Sequence, residues 1–286
     1  EFNLDDMYHA FSSITIPTEE WGTIGLLINY LNFGESDHTA ADGRILGTFK
    51  SYEFNVGISY GLLLKQNLSI GLGLKYVYSD LAGGASVGNQ ESDAGQSFGV
   101  DLSVLKRGLF TENLDVGANL MNMGPTIAYI DEEQADPIPF SLVLGAAYHL
   151  FRTPVHEISA VFDINREMVY REGNDVAPFY EAFFKNFTDS GDSLSFFEGV
   201  RQEFRENVYS LGFEYVYSDF VAFRLGHMID IEGSREENTF GFGLDLQDIV
   251  FDYSYITSSN IYGSLTGRDI KSVRNGQTRF SLILSI

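Results

Sequence analysis

From residue 67 to residue 80 the chain reads NLSIGLGLKYVYSD, which sets Leu68, Ile70, Leu72, Leu74, Tyr76 and Tyr78 against Ser69, Gly71, Gly73, Lys75, Val77 and Ser79. Side chains of a strand alternate between its two faces, so this segment has one apolar face and one small or polar face. The same alternation recurs in YEFNVGISYGL, FGVDLSV, NLDVGANL, FSLVLGAAYHL, HEISAVFDIN, VYSLGFEYVYS, FVAFRLGH, FGFGLDL, IVFDYSYI and TRFSLILSI. With SSITIP, IGLLINYLNF and RILGTFKSYEF, the last merging into YEFNVGISYGL, the pattern predicts about thirteen strands.

The connections sort by length. Short ones contain PTEEWG, KQN, KRGLFTE, RTPV, SD and QD; long ones are predicted at residues 34–44, 80–97, 122–139, 166–207, 228–238 and 258–277. A soluble antiparallel sandwich alternates as well, but short turns on one rim and long loops on the other are the pattern of an outer-membrane barrel. The predicted fold is therefore all-β, a single domain over residues 1–286 that forms a closed antiparallel transmembrane β-barrel. If short turns are periplasmic, the first and last strands both run downward. An even strand number then requires about fourteen strands in the intact protein, with an N-terminal piece and one upward strand not represented in this chain.

Charge placement fits the same picture. Glu53, Lys75, Asp101, Asp115, His149, Glu157, Asp163, Arg224, Asp245, Asp252 and Arg279 all fall opposite the apolar faces, on what would be the lumen side. A basic side chain moved to the lipid face costs about 2–4 kcal/mol at the midplane. In the expected orientation Leu68, Ile70, Leu72 and Leu74 meet lipid, Tyr76 and Tyr78 join the outer aromatic girdle, and Gly71, Gly73 and Lys75 face inward.

Composition narrows the function classes. Hydrophobic residues make up 44% and mean hydropathy is -0.05, and no apolar run approaches the roughly 20 residues of a spanning helix. Forty acidic and eighteen basic residues give a formal net charge of -22, without the clustered Lys and Arg a nucleic-acid partner requires. Cysteine is absent and does not discriminate between compartments. His9, His38, His149, His156 and His227 lack metal-ligand spacing, no phosphate-binding glycine loop appears, and no catalytic, cofactor or metal constellation is predicted.

One segment departs from the strand rhythm. Within residues 175–206, Phe179, Phe183 and Phe187 fall at helical spacing, and Leu194, Phe197, Val200 and Phe204 form a second stripe, with Ser195 and Glu198 at capping-box spacing. Two short helices in a long extracellular loop are predicted, their aromatics either packing on the barrel mouth or forming a docking surface for another protein. Phe179, Phe183, Phe184, Phe187, Phe196 and Phe197 are the candidate partner-binding residues. The same loop contains Gly191-Asp192-Ser193-Leu194, the letters of a hydrolase signature. That signature belongs after a strand in an α/β domain, so Ser193 reads as a loop or cap residue.

The segments DMYHAF, WGTIGLLINYLNFGE, GTFKSYEFNVGISYGLLLKQNLSIGLGLKYVYSDLAGG, ANLMNMGPTIAYID and RTPVHEISAVFDINRE resemble the PorV/PorQ family, outer-membrane barrels with a FadL-like fold found with the type IX secretion system of Bacteroidetes. The resemblance implies a non-enzymatic protein-transport subunit. It would bind secreted cargo through the cargo's C-terminal signal domain, accept it from the giant translocon barrel SprA (Sov), and pass it to attachment-complex proteins, within outer-membrane lipid and lipopolysaccharide. A FadL-like transporter of hydrophobic small molecules is the alternative. A hydrolase acting on lipopolysaccharide, a third class, would need a base within hydrogen-bonding reach of a serine near the outer leaflet.

Overall fold

The computed structural model describes residues 7–18, 20–40, 42–83, 86–87, 90–91, 93–130, 135–172, 175–188, 205–266 and 276–285. In chain order the elements are β1 (Tyr8–Thr18), β2 (Gly22–Thr39), β3 (Ile45–Lys65), β4 (Leu68–Asp80), β5 (Ser86–Val87), β6 (Gln90–Glu91), β7 (Gly95–Lys106), β8 (Leu114–Met123) and β9 (Ser141–Arg152). Then follow β10 (His156–Glu167), β11 (Arg171–Glu172), β12 (Asp175–Val176), α1 (Phe179–Thr188), β13 (Asn207–Tyr217), β14 (Val221–Asp230), β15 (Arg235–Asp245), β16 (Ile249–Ser258), α2 (Ile261–Thr266) and β17 (Gln277–Leu284). Thirteen of the strands form one sheet in the order β1-β2-β3-β4-β7-β8-β9-β10-β13-β14-β15-β16-β17, so each neighbours its successor along the chain. Every one of the thirteen coincides with a strand expected from the alternation. β5–β6 and β11–β12 are two small hairpins outside that sheet.

Alternation decides what each face touches. On β4, Ile70, Leu72, Leu74 and Tyr76 are exposed, an arrangement that water would penalise and hydrocarbon favours. Tyr8, Tyr30, Tyr52 and Tyr78 run diagonally across β1–β4 on this face, with ring centroids 5.9, 6.1 and 5.9 Å apart in succession. They form the aromatic girdle expected at the long-loop end, now seen as a ladder. At the opposite end, the β1–β2 turn exposes Trp21, whose carbonyl accepts a hydrogen bond from the Tyr60 hydroxyl.

The hairpin turns are tight. In the β13–β14 turn Ser218 and Asp219 have φ of 52° and 53°, two consecutive left-handed residues whose twist matches antiparallel strands.

Two of the expected long loops are in large part strand, each with a short turn left at its tip. Past Asn32 the β2–β3 register shifts, Gly34 takes φ 84°, and pairing continues as far as Thr39 opposite Ile45. Glu35 and Lys50 face each other there, with carboxylate and ammonium 3.1 Å apart. Residues 228–238 likewise stay paired to Asp230 opposite Arg235. The turn left between them is clamped by the Arg235 guanidinium on Asp230 at 3.0 Å and by the Gly233 amide donating to Asp230 at 2.7 Å. Beyond the hydrocarbon a strand has no need of an apolar face, so its letters read as loop.

Contacts group the chain into two compact units. The first comprises Glu1–Val104, Asn119–Ser141 and Met168–Asp189; the second comprises Leu105–Ala118, Leu142–Glu167 and Ser190–Ile286. Among the described residues the buried apolar side chains are few, and Ile127, Ile138, Phe140, Met168 and Ala182 all belong to the first unit. None of these five lies in a strand of the sheet. They come from residues 124–140, from Met168 after β10, and from α1.

Candidate functional site

Where β8 ends, the chain leaves the sheet. Asn122 adopts φ 61°, a left-handed conformation that asparagine tolerates better than most residues. Its amide donates to Asp101 Oδ1 at 2.7 Å, its Oδ1 accepts from Lys75 Nζ at 2.7 Å, and its Nδ2 donates to the Pro139 carbonyl at 2.8 Å. Lys75 and Asp101 close the set with an ion pair of 2.7 Å. Gly124 follows because nothing larger fits: a Cβ there would overlap the carbonyl oxygen of Phe98.

Residues 124–130 and 135–140 are fastened at intervals to the polar face of their own unit. Ser97 Oγ donates to the Pro125 carbonyl at 2.9 Å, and Ile127 and Asp136 exchange amide hydrogen bonds of 2.7 and 2.8 Å. The Tyr129 hydroxyl donates to Ser79 Oγ at 2.9 Å, and Ser79 in turn donates to Glu53 at 2.7 Å. Burial pushes the Tyr129 phenol above its ordinary range, partly offset by the bond to Ser79.

The segment ends as a shelf for α1. Phe140, 3% exposed, meets Phe179 edge-on with ring centroids 6.0 Å apart and lies 6.4 Å from Phe183. Pro178 starts the helix, its carbonyl accepting the amides of Glu181 and Ala182 at 3.0 and 2.9 Å. The inner stripe of Phe179, Ala182 and Phe183 therefore faces the shelf. Tyr180 and Phe184, 57% and 68% exposed, form the outer stripe.

Of the six phenylalanines singled out from the sequence, Phe179 and Phe183 lie against Phe140 and Phe184 faces solvent. Phe187 lies in α1, while Phe196, Phe197, the second helical stripe and the Gly191–Leu194 signature fall outside the described residues. Phe spacing alone does not single out Tyr180, which the helix places beside Phe184. Asn122 lies in the Asn-x-Gly-Pro phrase, whose left-handed letter followed by Gly and Pro was the available signal.

The second unit carries α2, which the sequence did not announce. Glu236, with no exposure, aims its carboxylate at the start of this helix and accepts the amides of Ile261 at 2.6 Å and Tyr262 at 3.1 Å, together with the Ser259 hydroxyl at 2.9 Å. On the same polar face His149 sits between carboxylates, 3.1 Å from Glu157 and 3.5 Å from Asp115, and 3.0 Å from Ser159 Oγ. Arg152 holds Glu157 from the other side at 3.0 Å. Near the short turns Arg224 bridges Glu214 and Asp252 at 2.5 Å each, beside an open concavity lined also by Phe220, Val221 and Leu244. Because both its partners are anionic, Arg224 is committed to charge balance and does not offer an anion site. Among the described residues no group of three or more metal-ligating side chains occurs and no helix is long and apolar enough to cross a membrane.

The family described as "Type IX secretion system protein PorV" matches residues 13–172, more than half of the chain. No curated protein matches. Among solved structures, the toluene transporter TbuX of Ralstonia pickettii aligns over 87% of this chain and 75% of its own, with 11% identity and a TM-score of 0.50. The toluene transporter TodX of Pseudomonas putida aligns over 87% and 76%, with 11% identity and a TM-score of 0.50. A deletion mutant of TodX, described as a monoaromatic hydrocarbon channel, aligns over 96% and 81%, with 11% identity and a TM-score of 0.53. At that identity the likeness is one of fold.

Proposed function

The chain belongs to the PorV family and is an outer-membrane β-barrel component of the type IX secretion system, and from that premise we propose that it is a binding and shuttle subunit for secreted protein. In this reading it engages cargo through the C-terminal signal domain, accepts it from the translocon barrel SprA and delivers it to the attachment complex. The outer face of α1 would supply the anchor, with Phe187, Phe196 and Phe197 as further candidates beyond Tyr180 and Phe184. One observation carries the proposal: α1 is fixed to Phe140 by one stripe while presenting two large aromatic side chains on the other. Rigid exposed aromatics are the usual energetic centre of a protein interface.

Transport of a hydrophobic small molecule is less well supported, because the polar face is crossed by the ion pairs of Lys75 with Asp101 and of Arg224 with Glu214 and Asp252. Deleting residues 176–204 is expected to abolish co-purification of cargo or translocon while the barrel keeps its heat-modifiable migration on gels. Association that survives the deletion removes α1 from the function. Saturable uptake of a monoaromatic hydrocarbon into vesicles, unaffected by the deletion, would favour the transporter.

A further inference from the structure

We infer that Asn122 is a positioning residue for α1, setting the orientation of a helix more than fifty residues away along the chain. Each step of the connection is a contact within the first unit. Lys75 and Asp101 stand on the wall strands β4 and β7 and grip Asn122 through its side chain and its amide. Asn122 reaches with Nδ2 from the start of the segment after β8 to its end and donates to the carbonyl of Pro139. Pro139 immediately precedes Phe140, whose ring contacts Phe179 and Phe183 and whose carbonyl accepts the Met168 amide at 2.7 Å. The two ends of residues 124–140 are thus brought together by one side chain, and the far end is the surface on which the helix rests.

The choice of asparagine follows from two simultaneous demands. The backbone must be left-handed so that the chain can turn off β8, which favours Gly or Asn. The side chain must accept from an ammonium and donate to a carbonyl, which the asparagine amide does with two separate atoms. Glycine meets the first demand alone and aspartate lacks the donor. Alanine has neither the side-chain groups nor an easy φ.

The functional weight of this inference rests on α1 being the docking element, but its test reads the helix directly. In the full chain folded in detergent or lipid, Asn122→Gly keeps the left-handed backbone and removes only the side chain. Amide exchange of residues 181–186 is expected to accelerate by about tenfold or more, while exchange in β3, β4 and β10 and the thermal unfolding midpoint stay near wild type. Asn122→Asp should behave like Asn122→Gly. Unchanged α1 exchange in both variants overturns the assignment, as does acceleration spread equally over the sheet, which would make Asn122 a general stability residue. If α1 loosens while cargo and translocon still co-purify, the positioning role stands and the docking reading of α1 fails.

Discussion

The amide of Met168 donates to the carbonyl of Phe140 at 2.7 Å, and both side chains are buried, Met168 to 1% exposure. One residue ends the segment that leads into β9 and the other follows β10, so a return to the sheet and a departure from it meet at a single hydrogen bond. The small apolar cluster beneath α1 is built on that meeting.

Phe140→Ala should therefore act on the helix before the barrel. Removing a buried phenylalanine costs about 3–5 kcal/mol where the site cannot collapse. Limited proteolysis is expected to cut within 179–188 in this variant and not in wild type, with the unheated protein still migrating as a compact barrel. Equal resistance in both would mean that α1 does not depend on the ring.

Glu236 offers a parallel test in the second unit. Glu236→Ala removes the acceptor for the first amides of α2, and leaving such groups unsatisfied costs about 1–3 kcal/mol. Exchange at Ile261, Tyr262 and Gly263 should rise, and Glu236→Gln, which retains one acceptor oxygen, should fall between the two.

Tyr129 makes the first unit sensitive to alkali. Its folded value is raised above the ordinary 10.0, so the folded state favours the protonated phenol. That contribution is complete below pH 10 and is lost as the pH climbs through the raised value. Tyr129→Phe should take one tyrosine out of the late part of the alkaline absorbance titration of the folded protein, and an unchanged late amplitude would contradict the raised value.

The solvent of the apolar face can be tested with one strand. Leu72→Arg should destabilise the protein in lipid bilayers by about 2–4 kcal/mol by denaturant titration, whereas Ser69→Asn, on the other face of β4, should cost far less. Similar losses for both substitutions would contradict a lipid-facing Leu72.

Much of this architecture was legible because lipid imposes a rule on every second residue. Where the rule applies, as on β4 from Leu68 to Tyr78, the letters state both the strand and its faces. It lapses above the girdle, which is why Glu35 to Thr39 and Arg235 to Asn238 read as loop although both are paired. α2 was hidden for a different reason: its acidic cap, Glu236, lies 25 residues before Ile261, far outside any local capping pattern. The candidate site was half visible. Helical spacing revealed the stripe of Phe179 and Phe183, but only the position of Phe140 decides that this stripe is the seat and that Tyr180 and Phe184 are the more exposed side.

The exposed indole at the β1–β2 turn has a practical corollary. Trp21 is the single tryptophan of the chain, so intrinsic fluorescence excited near 295 nm arises from one rim only, about one membrane thickness from the tyrosine ladder. In sealed vesicles, iodide added outside will quench that emission if the short-turn rim faces out and spare it if the rim faces the interior. This chain thus carries a built-in reporter of its own insertion direction, with no label to perturb either rim.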